Sequence, residues 1–281
     1  MIRIILALLI TTLSTAVHAG DRFITLASTT STQNSGLYDY LLPLFTAKTG
    51  IEVRVISVGT GQAITIAKNG DADVLLVHHR PSEDAFVAGG YGIERRDVMY
   101  NDFVIIGPKS DPAAVSNQTN ASDGLMAISD TQFLFISRGD ESGTHKREKD
   151  LWTKAGIMPA GNWYRDIGAG MGAALNMASS VNAYTLSDRG TWLSFGNKGD
   201  LGMLLSGDET LFNPYGIILV NPAKHAHVKI DMARSFSNWM VSDEGQKAIG
   251  AFTVQNLQLF CPNAHPDQNS DAICPSSKPR N

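Results

Sequence analysis

The sequence predicts an α/β protein built as two lobes around a mostly parallel sheet. Two observations carry this. Short apolar runs rich in β-branched residues alternate with segments of helical periodicity, and after a Gly/Pro turn near residue 108 the alternation starts a second time. A third observation bears on what the lobes do: the strand-to-helix junctions are crowded with hydroxyl and glycine residues.

The elements follow in order. FITLAS (23–28) reads as a strand, and LYDYLLPLFTAKTG (37–50) as a helix with Leu37, Leu41, Leu44 and Phe45 on one face and Gly50 as its stop. Pro43 is expected to kink that helix or to lie early in it. IEVRVISVG (51–59) alternates like a strand, QAITIAKNG (62–70) reads as a short helix and ADVLLVH (72–78) as a buried strand. YNDFVIIGPKSDP (100–112) is a strand ending in a turn. The second series comprises FLFIS (133–137), a helix over 145–156, the loop GAGMG (168–172), a helix over 173–180, the strand AYTLS (183–187) and a helix over 189–199. PYGIILVNPAK (214–224) gives one more strand, and helices around 232–242 and 244–252 close the pattern. The expected division is 20–106 with 213–281 as a discontinuous first lobe and 107–212 as the second, with a ligand cleft between them at the carboxyl ends of the strands.

The first twenty residues are set apart. Arg3, an apolar run from Ile4 to about Leu13 and the small-residue ending Val17-His18-Ala19 have the layout of a cleavable secretory signal over 1–19. The expected location is a bacterial periplasm, as a monomer. Removing the signal takes away Arg3 alone, leaving 22 basic residues against 27 acidic ones, a net of −5. That sign gives no global attraction to nucleic acid or acidic membranes, so local geometry must hold any anion the protein binds. In an oxidising compartment Cys261 and Cys274, within a Pro/Asn/Asp-rich tail, are expected to form a disulfide closing a short loop.

Three junctions carry the functional signal. Ser28-Thr29-Thr30-Ser31-Thr32 places five consecutive hydroxyls at a helix start, where one N-cap would need a single hydroxyl. Gly59-Thr60-Gly61 follows the second strand, its glycines admitting backbone close to a ligand and Thr60 offering a donor. Arg138, at the end of FLFIS, precedes a helix starting near Ser142, Gly143 and Thr144, with Lys146 and Arg147 opposing the helix dipole in its first turn. An anion held there would offset that cost. Arg138-Gly139-Asp140 as an adhesion motif would need an exposed loop, and Ser142 as a nucleophile lacks both the G-x-S-x-G spacing and a base with its orienter. His78 and His79, adjacent on a strand, point to opposite faces and do not suit one metal ion. GAGMG lacks the Lys-Ser/Thr of a phosphate loop and is assigned only to the border of the cleft.

With these junctions in place the chain closely resembles the tungstate-binding proteins of bacterial ABC transporters. The matching segments are STTSTQNSGLYDYLLPLF, VGTGQAI, NGDADVLLVHH, GYGIERRDVMYNDFVIIGPKSDP, SRGDESGTHKRE, GAGMG and AYTLSDRGTW. The resemblance implies the type II periplasmic-binding-protein fold, no cofactor, no catalysis, capture of tungstate with molybdate as a close competitor, and delivery to a membrane permease. Ser28 stands where the family's first hydroxyl motif begins with Thr, and the cysteine-bearing tail is unusual for it. Phosphate-binding proteins of the same fold carry an Arg followed at +4, +5 and +6 by Ser-Gly-Thr, the spacing of Arg138, Ser142, Gly143 and Thr144 here. They also carry a strand-end carboxylate where this chain has His78, which favours tungstate, molybdate or sulfate over phosphate. The oxyanion site is thus expected at Ser28, Thr29, Thr30, Ser31, Thr60, Arg138, Ser142, Gly143 and Thr144. The rival readings are a binding protein for another tetrahedral oxyanion and, more remotely, a serine hydrolase using Ser142.

Overall fold

The structure, a computed structural model, describes residues 22–265. The expected signal segment and Cys274, with its expected pairing to Cys261, lie outside the described residues. Strand β1 (Phe23–Thr29) leads through helices α1 (Thr30–Asn34) and α2 (Leu37–Thr49) to β2 (Glu52–Val58), α3 (Thr60–Asn69), β3 (Val74–Val77) and α4 (Arg80–Ala88). The long β4 (Gly92–Pro108) then carries the chain to α5 (Ala121–Thr131), β5 (Phe135–Ser137), α6 (Gly143–Lys154), β6 (Tyr164–Asp166), α7 (Met171–Val181), β7 (Tyr184–Asp188), α8 (Arg189–Ser194) and β8 (Leu201–Leu205). It returns along β9 (Phe212–Val220) to α9 (Ile230–Val241) and α10 (Asp243–Ala251), and ends in the short strands β10 (Thr253–Val254), β11 (Leu257–Gln258) and β12 (Cys261–Pro262).

The sheet is mixed, which corrects the mostly parallel expectation. Its order is β2-β1-β3-β9-β4-β7-β5-β6, with β8 and β12 also paired to β4. Around β1 and around β5 the strands are parallel, but β9 returns antiparallel between β3 and β4, and β4 is antiparallel to β7 and β8. α4 and α5 have no counterpart among the expected elements, and β4 starts eight residues before the strand expected over 100–112, with the charged segment GIERRDVM as its first half. Arg95 there forms ion pairs with the buried Glu83 of α4 and with Asp97, both at 2.8 Å, so the charges sit on a strand without exposing it to unpaired cost. α2 runs through Pro43, which faces solvent, because Leu37, Tyr38, Leu41 and Phe45 on the opposite side are all buried. Gly50 at φ 67° ends the helix in the left-handed conformation that glycine adopts without strain. Among the described residues no helix is long and apolar enough to cross a membrane.

β4 changes partner in mid-strand. Asp102 is opposite Phe212 of β9, and Phe103 is opposite Asp188 of β7. At that point the fully buried Asp102 receives two hydrogen bonds from Arg189, Nε to Oδ1 at 2.6 Å and Nη2 to Oδ2 at 2.5 Å. Burial raises the Asp102 carboxyl pKa while the guanidinium opposes it. Removing the cation leaves a buried carboxylate alone, so Arg189→Met is expected to cost about 3–5 kcal/mol of stability, read as a lower urea midpoint at pH 7.

Candidate functional site

Every segment that lines the main cavity leaves the carboxyl end of a strand in one of the two parallel sets. Thr29, Thr30 and Ser31 follow β1, Gly59 and Thr60 follow β2, and His78 follows β3. From the other half of the sheet come Arg138, Asp140, Ser142, Gly143 and Thr144 after β5, Gly170 to Ala173 after β6, and Thr191 after β7. The enclosed volume is about 270 Å³. Gly143 closes it: a Cβ there would stand 2.8 Å from both Thr60 Oγ1 and His78 Cε1, so only glycine lets the α6 start meet the opposite wall.

The cavity is a focus of helix N-termini. α1, α3, α6 and α7 all begin on it, and none has an acidic residue in its first turn. At α1, α3 and α7 no side chain caps the free N–H groups; at α6 the Ser142 hydroxyl takes only the N–H of His145, at 3.3 Å. Unmet donors at the positive ends of aligned peptide dipoles call for an acceptor with negative charge. Two buried side-chain donors of cavity-lining residues, one from each side, are also without partners, Thr60 Oγ1 and Arg138 Nε. Arg138, 9% exposed, spends Nη2 on Asp140 at 2.6 Å and lies 3.4 Å from the Thr144 hydroxyl through Nη1. Burial would raise the Asp140 pKa, but hydrogen bonding from Ser142 and the charge of Arg138 outweigh it and hold the carboxyl ionised below its ordinary range. The His78 pKa is pushed down to about 4, chiefly by burial and further by the cations Arg138 and Arg147 and by His79, while a hydrogen bond to Asn213 opposes the shift. The imidazole is neutral at pH 7.

Eight of the nine residues expected from the sequence therefore share one cavity: Thr29, Thr30, Ser31, Thr60, Arg138, Ser142, Gly143 and Thr144. Ser28 does not join them. It is fully buried, its hydroxyl donates to the Leu76 carbonyl at 2.7 Å and bonds to the Tyr38 hydroxyl, because it is still in β1 and sits opposite Ser57 and Leu76 of the neighbouring strands. Arg147 also turns away, donating to the Phe212 carbonyl at 3.0 Å. The sequence missed Asn34, Asp140 and Thr191, and it placed the α7 start only at the border. The signal for α7 was the glycine run GAGMG before a helical pattern; the short strand β6 that makes it the same type of junction as the one before α3 was not among the expected elements.

The geometry agrees with the kinship of the chain. Residues 14–244 match the family model of the PBP superfamily domain. The chain is 50% identical over 247 residues to the tungstate-binding protein TupA of Peptoclostridium acidaminophilum, covering 86% of each. The chain belongs to the tungstate-binding proteins of the PBP superfamily. Among solved structures it is similar to the tungstate ABC transporter protein from Geobacter sulfurreducens (TM-score 0.76, 50% identity, 82% of this chain and 98% of that one). It is likewise similar to the tungstate-binding protein TupA from Desulfovibrio alaskensis G20 (TM-score 0.77, 46% identity, 86% and 99%). The two-lobed periplasmic-binding fold inferred from the motifs is thereby established.

α6 owes its position to a buried carboxyl one turn and a half beyond the cavity. Glu148 Oε1 accepts from Tyr164 Oη at 2.7 Å and from Trp152 Nε1 at 3.2 Å, and burial lifts its pKa to about 7. A carboxyl raised in the folded state gives stability that is complete below its unfolded pKa of about 4.5 and is lost as pH rises through about 7. Between pH 5 and 8 wild type is expected to lose on the order of 3 kcal/mol more stability than Glu148→Gln, read from denaturation midpoints across that window.

Proposed function

We propose that this protein is an extracytoplasmic solute-binding protein that captures tungstate, with molybdate as a close competitor, and delivers it to the permease of an ABC importer. The observation that carries the reading is the convergence of four helix N-termini, three without side-chain caps and none with acidic first turns, on a cavity with unpaired Thr60 and Arg138 donors. Its relatives, TupA of Peptoclostridium acidaminophilum and of Desulfovibrio alaskensis, are named tungstate-binding proteins. In this proposal Thr29, Thr30, Ser31 and Thr60 meet the oxyanion from one side, and Arg138, Ser142, Gly143 and Thr144 from the other. The lobes are 20–106 with 213–281 and 107–212, a division supported by the change of β4 pairing between Asp102 and Phe103 and the return along β9. No bond is made or broken: the ion exchanges water for fixed N–H and O–H dipoles as the lobes close on it.

Periplasmic location follows from the secretory signal over 1–19, with the protein acting as a monomer and Cys261 paired to Cys274 in that oxidising compartment. The hydrolase alternative has less support. The Ser142 hydroxyl accepts a backbone N–H, and the Nδ1 of His145 accepts the N–H of Glu141 at 3.0 Å, so neither is set as nucleophile and base. Adhesion through Arg138-Gly139-Asp140 has less still, since Arg138 is buried and bonded to Asp140.

Calorimetric titration with tungstate, molybdate, sulfate and phosphate tests the proposal, with heat expected from tungstate and molybdate; no heat from any oxyanion would overturn it. Arg138→Ala is expected to weaken tungstate binding about 100-fold with the melting temperature nearly unchanged, as loss of a charge-assisted donor of roughly 3 kcal/mol predicts.

A further inference from the structure

Four side chains that are distant in sequence form a row running from the buried sheet to the cavity. Asn101 of β4 lies 2.6 Å from the amide of Asn213 of β9, Asn213 lies 2.8 Å from His78 Nδ1, and His78 Nε2 lies 3.3 Å from the Ser31 hydroxyl. Asn101 and Asn213 are buried, His78 is only 4% exposed, and both His78 and Ser31 line the cavity. Because a side-chain amide presents its oxygen and nitrogen in interchangeable positions, such a row can point either way.

In one direction Asn213 Nδ2 donates to Asn101 Oδ1, and His78 Nδ1–H donates to Asn213 Oδ1. Ser31 is then drawn to donate to a bare Nε2. That direction strands the buried Asn101 Nδ2 without a partner and turns a Ser31 lone pair toward the cavity. In the other direction Asn101 Nδ2 donates to Asn213 Oδ1, Asn213 Nδ2 donates to Nδ1, and Nε2–H donates to Ser31. An unmet carbonyl oxygen at Asn101 then replaces an unmet N–H, the less costly vacancy of the two. The Tyr215 hydroxyl, 3.4 Å from the Asn213 amide, is placed to donate to Oδ1. The Ser31 O–H is released from His78 toward the cavity; the Thr29 hydroxyl, 3.2 Å from Ser31, is also paired with the Thr32 hydroxyl at 2.7 Å.

We propose that Asn101 and Asn213 hold His78 as the Nε2–H tautomer, making it a positioning residue that commits the Ser31 hydroxyl to donate to the bound oxyanion. This rests on the oxyanion-binding reading and adds to it the direction of one wall. A donor-directed wall suits an ion that brings oxygens without a proton; an acceptor-directed wall would meet those oxygens with lone pairs. Since His78 is neutral, the tautomer and not the charge is what the asparagines set. Gly143 brings the α6 start against the same ring, so the lobes close on a side chain of fixed orientation.

The test uses the full protein with 15N-labelled histidine, saturated with tungstate, the His78 signals being assigned by their absence from His78→Leu. Nitrogen shifts and couplings are expected to place the proton on Nε2 with Nδ1 bare; a proton on Nδ1 overturns the proposal. Calorimetry supplies a second reading. Ser31→Ala and His78→Leu, each with unchanged far-UV dichroism, are expected to weaken tungstate binding about tenfold, roughly one hydrogen bond to a charged group, and the double variant hardly more than either. Full multiplication of the two losses would show that His78 acts apart from Ser31 and would also overturn it. A wild-type protein that gives no heat with tungstate removes the binding reading itself, whereas one that binds tightly with Nδ1 protonated removes only the relay.

Discussion

Buried hydrogen-bond donors must be matched, and most of this structure answers to a set of donors that its own chain leaves unmatched. The starts of α1, α3, α6 and α7 aim N–H groups into one cavity, and Thr60 and Arg138 add side-chain donors there. Such an arrangement is costly without an acceptor and strongly favourable with a small anion. It accounts for the residue types at the junctions. Hydroxyls add donors without charge, glycine brings the α6 backbone against His78 and Thr60, and acidic first turns are excluded.

The sheet supplies the second requirement, that the donors come from two sides of one cavity. β4 belongs to both halves, pairing with β9 up to Asp102 and with β7 from Phe103. The charges at that crossing are satisfied locally. Asp102 is held by Arg189, and Arg147 of α6 reaches across to the Phe212 carbonyl. Polar contacts mark the crossing, and apolar packing runs past it: one buried cluster joins Leu26 and Leu76 of the first half to Ile136 and Leu175 of the second.

Much of this was legible in the sequence because the signals were local. A hydroxyl run or a Gly-x-Gly after an apolar strand is a short-range pattern, and parallel strands bring all such junctions to one edge. The misses were failures of phase or of distance. Ser28 looks like part of the hydroxyl run, but strand periodicity turns it inward to Leu76 while Thr29 beside it lines the cavity. The charges of the first half of β4 obscure its strand character: Arg95 pairs with Glu83 of α4 as well as with Asp97 beside it. The row from Asn101 through Asn213 to His78 spans sequence separations of 112 and 135 residues, and no local pattern announces it. Asn in a strand reads as a weak strand former until its buried partner is known.

Charge, finally, is the part of the site that composition most readily misleads about. A chain of net charge −4 seems a poor trap for a dianion, and the guanidinium in the cavity is itself partly neutralised by Asp140 at 2.6 Å. Yet a cavity that depended on net positive charge would attract every anion and hold none selectively, and its charges would repel one another when empty. Pairing Arg138 with Asp140 fixes the guanidinium in place and leaves its Nε without a partner, while the helix starts supply partial charges that need no counterion and no reorganisation. Discrimination then rests on whether an ion places an oxygen opposite each fixed donor, a matter of size and shape. That is why the walls are built from backbone and short hydroxyl side chains, whose positions the strands and helix starts dictate, and not from the flexible cations that the net charge would lead one to look for.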